Sequence, residues 1–190
     1  MSSTSAPLRV AESGEPTVGF YGGHPRGIRT HEWPRCAVCG AAMCHMGQFD
    51  SGPWLDLGGY ERMTLFICHA TGGRCEDWEP EKGANRVVLQ RRRDDNLYDG
   101  PHTVRVYRRI PLTTGAAVTE SEAPPADDKL GGAPAWLSHD ATPRAESGFM
   151  RLLLQMTTAI VSFDITSTGM AYVFLDPRRP GVARMLWQTK

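Results

Sequence analysis

Five cysteines are the residues of this chain best suited to chemistry, and four of them fall in two pairs. Cys36-Ala-Val-Cys39 is a CxxC knuckle followed by Gly40. A tight turn there lets two thiolates face one ion, and glycine relieves the backbone as it curls round the metal. Cys68 ends the apolar run MTLFIC, and Cys75 follows the turn ATGGR, where Gly72-Gly73 supplies a tight reversal. Four thiolates at tetrahedral positions suit a structural Zn2+ ion, and a closed four-sulfur shell leaves no position open for substrate. The six residues between Cys68 and Cys75 exceed the usual spacing, and His69 is placed to replace one thiolate. Unmetallated thiols and an iron–sulfur cluster are the alternatives. Cys44 has no evident partner and reads as a small buried apolar thiol. His24, His31, His45 and His69 match no ligand spacing and read as scattered loop residues.

The cysteines sit in the first of two similar stretches. Gly22-Gly23-His24-Pro25 is echoed by Gly131-Gly132-Ala133-Pro134 at an offset of 109. Met43 and Gln48 answer to Met150 and Gln155 at an offset of 107, and so does MTLFI (63–67) to MAYVF (170–174). Each stretch closes on an apolar run with a glutamine: Val87-Val88-Leu89-Gln90 and Met185-Leu186-Trp187-Gln188. These blocks, in one order, indicate an internal duplication. In the second copy Ala145-Glu146-Ser147 and Leu175-Asp176-Pro177 stand where the knuckles would be, so that copy must fold without metal. The ion is therefore expected to replace core that the loop-rich first copy lacks.

The β-branched and aromatic runs MTLFI and MAYVF suit buried strands, and TVRVYRRI (103–110) alternates as a half-buried strand does. Residues 149–156 fit a strand or a short helix, with length and the matching segment around Gln48 favouring a strand, and Gly 20 with Pro 14 disfavours long helices. The expected fold is β-rich, all-β or α+β, with two tandem β units packed as one pseudo-symmetric domain and the zinc knuckle in the first. A unit of about 60 residues buries too little core to stand alone. The expected boundaries are a disordered tail over 1–18, the first repeat over 19–111, an acidic Pro/Ala linker over 112–128 and the second repeat over 129–190.

Composition narrows the classes. The net charge is +0, from 21 basic and 21 acidic residues, and Arg91-Arg92-Arg93 is cancelled at once by Asp94-Asp95. No general nucleic-acid footprint results. The first residues lack the charged and apolar regions of a secretory signal, and no stretch is long and apolar enough to span a bilayer. A cytoplasmic protein without membrane attachment is expected, and there cysteines hold metal or stay free.

The block Lys129-Leu130-Gly131-Gly132-Ala133-Pro134-Ala135-Trp136-Leu137 resembles the KLGGxPxW opening of YwqG-like bacterial proteins. It is equally similar to the opening of the programmed-cell-death-protein-2 relatives of eukaryotes. The later LLLQM and GMAYVF fit the order of the YwqG-like group, and the CxxC half resembles its zinc-bearing half. The first copy departs from the motif, with FYGGHPRG at its opening. The resemblance implies binding roles: immunity to a toxin in some bacterial relatives, and dedicated chaperoning of a ribosomal protein in the eukaryotic ones.

The reading that follows is a non-catalytic, zinc-containing module that binds one protein partner, chaperone-like or immunity-like, in the cleft between the copies. Trp33, Trp54, Trp78 and Trp136 are candidate anchors, although core packing is the stronger reading for Trp33 and Trp136. Two other classes stay open. A zinc-dependent enzyme would need an open ligand position, as if Cys75 were not a ligand; His139-Asp140 lacks a placed nucleophile, and the glycine pairs lack a phosphate-loop helix. A nucleic-acid-binding zinc ribbon would use Arg26, Arg29, Arg35 and Arg74, against Glu76, Asp77, Glu79 and the neutral total charge.

Overall fold

The structure, a computed structural model, describes residues 3–70, 75–98, 100–120, 124–157, 169–179 and 181–189. The expected Gly72-Gly73 reversal, Arg74 and part of the expected linker (121–123) lie outside them. The first described elements are β1 (Ser3–Val10), β2 (Gly19–Tyr21), a 3-10 helix (Thr30–Glu32), β3 (Cys44–Asp50), β4 (Arg62–Ile67) and β5 (Asn85–Gln90). Then follow β6 (Ile110–Thr114), β7 (Val118–Glu120), β8 (Lys129–Gly131), β9 (Arg144–Ala145) and β10 (Gly148–Phe149). Last come β11 (Arg151–Thr157), β12 (Met170–Leu175) and β13 (Ala183–Gln188). No described helix is long and apolar enough to cross a membrane.

One antiparallel sheet carries the order β13-β12-β11-β8-β1-β6-β2-β3-β4-β5, with β7 paired to β1, while β9 and β10 form a separate hairpin. The terminal strands β13 and β5 lie against each other, so the sheet nearly closes. Across the seam Trp187 N donates to Trp78 O at 3.4 Å, and Arg184 meets Glu81 at 3.0 Å.

Strands β4 and β12 are buried along their whole length, which explains why both read as continuous apolar runs rather than alternating ones. On one face Met63, Leu65 and Ile67 join Ala171, Val173 and Leu175 in a central core shared by both halves of the chain. On the other, Phe66 enters a satellite cluster with Trp33, and Tyr172 and Phe174 enter another beneath Trp136. This arrangement also sets the register. Gln48 lies opposite Thr64, and Gln155 opposite Tyr172; Arg62 faces Gln90, and Met170 faces Gln188. Thr64 and Tyr172 thus each face a glutamine, 108 residues apart, where the blocks MTLFI and MAYVF stand 107 apart. A slip of one residue exchanges the two faces of a strand, so the burial pattern decides the match.

The glutamines hold the turns that carry the glycine pairs. Gln48 accepts from Arg26 N at 3.0 Å and donates to Arg26 O at 2.9 Å; Gln155 accepts from Ala135 N at 2.8 Å and donates to Asp127 O at 2.9 Å. Gln90 donates to Gly27 O at 3.0 Å, and Gln188 accepts from Leu137 N at 3.0 Å. The glycines themselves answer to close approach. Gly22 has φ +62 with the Arg108 carbonyl where a Cβ would sit, and Gly132 has φ +76 against the Glu120 carboxylate.

Three sequence expectations change. Residues 1–18 are not a disordered tail throughout, because Ser3–Val10 forms β1, hydrogen-bonded to β6, β7 and β8 in the middle of the sheet. Main-chain pairing on both edges, with Ala6 and Leu8 buried, holds a strand whose composition is unremarkable. The 112–128 stretch is not a free linker either: it carries the end of β6 and all of β7, and two of its acids are buried. Glu120 pairs with the buried Lys129 at 2.5 Å and accepts from Ala133 N at 2.6 Å and Ser3 Oγ at 2.7 Å. Asp128 accepts from Tyr21 OH at 2.9 Å and from Thr157 N at 2.7 Å. Finally, 103–109 forms no strand although it alternates; Val106 stays 49% exposed, and the pairing passes to Ile110–Thr114.

Candidate metal centre

The knuckle is a miniature hairpin. Arg35 and Ala42 bridge it, Cys36 N donates to Ala41 O at 2.9 Å, and Gly40 N donates to Cys36 O at 2.9 Å. Gly40 has φ +73 with open space around its Cα, so conformation and not crowding demands glycine there. Arg35 Nη1 donates to Gly40 O at 3.0 Å, closing the turn from outside.

The second pair arrives from β4. Cys68 directly follows that strand, and its N–H donates to Ala84 O at 2.8 Å. Cys75 begins a stretch that returns to β5, where Asn85 Nδ2 donates to Asp77 O at 2.8 Å and Glu79 O at 3.2 Å. Ala37 N donates to Gly83 O at 2.9 Å, tying the knuckle to the same stretch. Beneath lie Trp33, edge-on to Phe66 at 5.3 Å, and Met43, whose carbonyl accepts from Trp33 Nε1 at 2.9 Å.

These loops bring Cys36, Cys39, Cys68 and Cys75 together, with all four sulfurs within 4.8 Å of one another and none in a disulfide. Bonds of about 2.3 Å to a tetrahedral ion put sulfurs about 3.8 Å apart. Cys39 Sγ and Cys68 Sγ stand 3.6 Å apart, so the set is compatible with a metal site. Three of the cysteines are buried and Cys39 is exposed. The Ala41 N–H, together with the neighbouring thiols, holds the Cys39 pKa below that of an ordinary thiol, whereas burial pushes Cys68 up. Binding a cation expels protons from such a set.

His69 lies outside the sulfur group; its Nδ1 shares a 2.6 Å hydrogen bond with the Tyr107 hydroxyl. Cys44 is buried away from the other four, and burial raises its pKa. Of the remaining histidines, His45 is almost fully buried and its Nδ1 donates to Gly23 O at 3.0 Å. It borders a small cavity with His24, Trp33, Pro101 and Arg105. Trp33 is core, and Trp136 stacks on Phe174 at 5.9 Å, whereas Trp54 and Trp78 stay 38% and 40% exposed.

One pair escaped sequence reasoning. Asp176 follows β12 as Cys68 follows β4, and its Oδ1 accepts from Ser147 Oγ in the β9–β10 turn and from Arg178 N at 2.9 Å. A polar clasp thus closes the end of β12. The only trace in the sequence was their alignment opposite the knuckles. Set beside family models and curated proteins, the chain matches none.

Proposed function

We propose that this chain is a non-catalytic module that binds one structural Zn2+ on Cys36, Cys39, Cys68 and Cys75 and holds one protein partner, in the manner of a YwqG-like chaperone or immunity protein. The observation that carries the reading is the four-sulfur cluster itself, within 4.8 Å and mostly buried. Four sulfurs fill a tetrahedral shell, which gives the ion a folding role and no vacant position for substrate.

The same proposal makes the molecule a tandem duplication. Support comes from the mirrored strand order, β2-β3-β4-β5 against β8-β11-β12-β13, and from matching irregularities in register. The β3–β4 pairing shifts between His45 and Gly47, the β11–β12 pairing between Leu152 and Leu154, at the offset of 107 that relates Gln48 to Gln155. Of the four candidate anchors, Trp54 and Trp78 are the two exposed enough to meet a partner.

Native mass spectrometry of the protein purified gently from its own host tests both halves of the proposal. One zinc and a stoichiometric protein partner are expected. Recovery with zinc but with no partner under any extraction condition overturns the binding role. Recovery with a small molecule that the protein turns over replaces it with an enzyme.

A further inference from the structure

We propose that the sulfur cluster is a redox-releasable clasp: hydrogen peroxide joins Cys39 to Cys68 as a disulfide, expels the metal and frees the 75–84 stretch. The inference rests on the metal reading above and adds its regulation.

Geometry selects the pair. Cys39 is exposed on the knuckle while Cys36, Cys68 and Cys75 are buried, so an oxidant in solution meets Cys39 first. Cys68 Sγ waits 3.6 Å away, and a disulfide of about 2.05 Å needs only a short inward move of the knuckle. Cys44 is outside the group and does not compete.

The chemistry balances. The Cys39 thiolate attacks one peroxide oxygen, the O–O bond breaks, and a sulfenic acid and one water form after protonation. The Cys68 thiolate then attacks the Cys39 sulfur and displaces hydroxide, which takes a proton to give a second water. Two thiolates lose two electrons, the peroxide gains them, and the ion leaves because two of its four ligands are gone.

The consequence follows from packing. Cys36, Cys68 and Cys75 belong to the satellite cluster with Ile28, Trp33 and Met43, not to the central core. Among the described residues three main-chain bonds reach this stretch from outside it: Ala37 N to Gly83 O, Cys68 N to Ala84 O and, across the β5–β13 seam, Trp187 N to Trp78 O. Losing the metal therefore loosens one outer face and the seam contacts of Trp78 and Glu81 with β13, while the strand ladder from β5 round to β13 persists. The second half holds the corresponding place with Ser147 and Asp176, which no peroxide oxidises, so only one half responds.

The test treats zinc-loaded protein with hydrogen peroxide. Released zinc is read with a chromogenic chelator, disulfides by peptide mapping, and opening by proteolysis within 75–84. Release of one zinc per Cys39–Cys68 disulfide, reversed by dithiothreitol and zinc, is expected. Cys44→Ser should leave rate and pairing unchanged, and Cys39→Ser should slow release at least ~10-fold, because oxidation follows thiolate exposure. If Cys39→Ser no longer holds zinc, mapping of the wild type still decides. Release without a disulfide, a disulfide between other cysteines, or zinc retained after Cys39 is oxidised overturns the clasp and leaves the metal reading intact. Protein that takes up no zinc at all overturns the metal reading instead.

Discussion

A buried imidazole is sensitive to acid, and His45 is the case in point here. It lies almost fully buried between Phe20 and Phe66, and desolvation drives its pKa down to about 4. The folded state thus keeps His45 neutral where the unfolded chain, with an imidazole near 6.5, already binds a proton. Stability is complete above about pH 6.5 and falls as pH drops toward 4. Between pH 7.5 and 5 the loss from this group is about 2 kcal/mol. His45→Leu should remove that part of the slope, read as the difference between variant and wild type in urea midpoints at the two pH values. Equal slopes would show that His45 is solvated or bound by another group. Glu120 acts lower: burial opposes its charge, but Lys129 and the Ala133 N–H hold its pKa down to about 2, so its contribution is lost only below about 4.5.

At the scale of elements, the strands are tied to their loops by side-chain amides. Gln155 projects from β11, fully buried, and serves Ala135 N, Pro125 O and Asp127 O at once. Gln155→Leu keeps the volume and strands those groups. The expected cost is about 2–3 kcal/mol in chemical denaturation, since each unpaired buried polar group costs about 1–3 kcal/mol. A loss under about 0.5 kcal/mol would mean that water or a rearranged turn satisfies them. The Lys129–Glu120 pair belongs to the same scale. Lys129 and Gly132 of the KLGG block both accommodate Glu120, one by charge and one by leaving space, so the motif reads physically as a buried turn around a carboxylate.

For the whole molecule, the central core draws on both halves, while the sulfur cluster covers a satellite beneath the knuckle. Removal of the proposed metal by a strong chelator should therefore loosen residues 33–43 and 75–84 without unfolding the sheet. Hydrogen exchange is expected to rise in those stretches, and at Trp187 N, which bonds to Trp78 O, while the amides of β11 and β12 stay protected. Exchange rising uniformly, with loss of the β signal in circular dichroism, would show instead that the ion supports the entire domain, as it does in the smallest zinc modules.

The sulfur set and the buried strands were legible in the sequence because both are local. A CxxC turn with Gly40 carries its own conformation, and MTLFI and MAYVF declare themselves by composition alone. The glutamines were visible as landmarks, though not their task of gripping loops. What tertiary structure decided lies between residues far apart in the chain. Ser3 meets Glu120 and Tyr21 meets Asp128 across more than a hundred positions, and no nearby pattern marks either acid as buried. The same holds for β1, whose place in the sheet comes from main-chain partners on both sides, and for His69, which turns to Tyr107 instead of the sulfurs. Local spacing determines which residues share a turn; only closure of the sheet determines which turns meet.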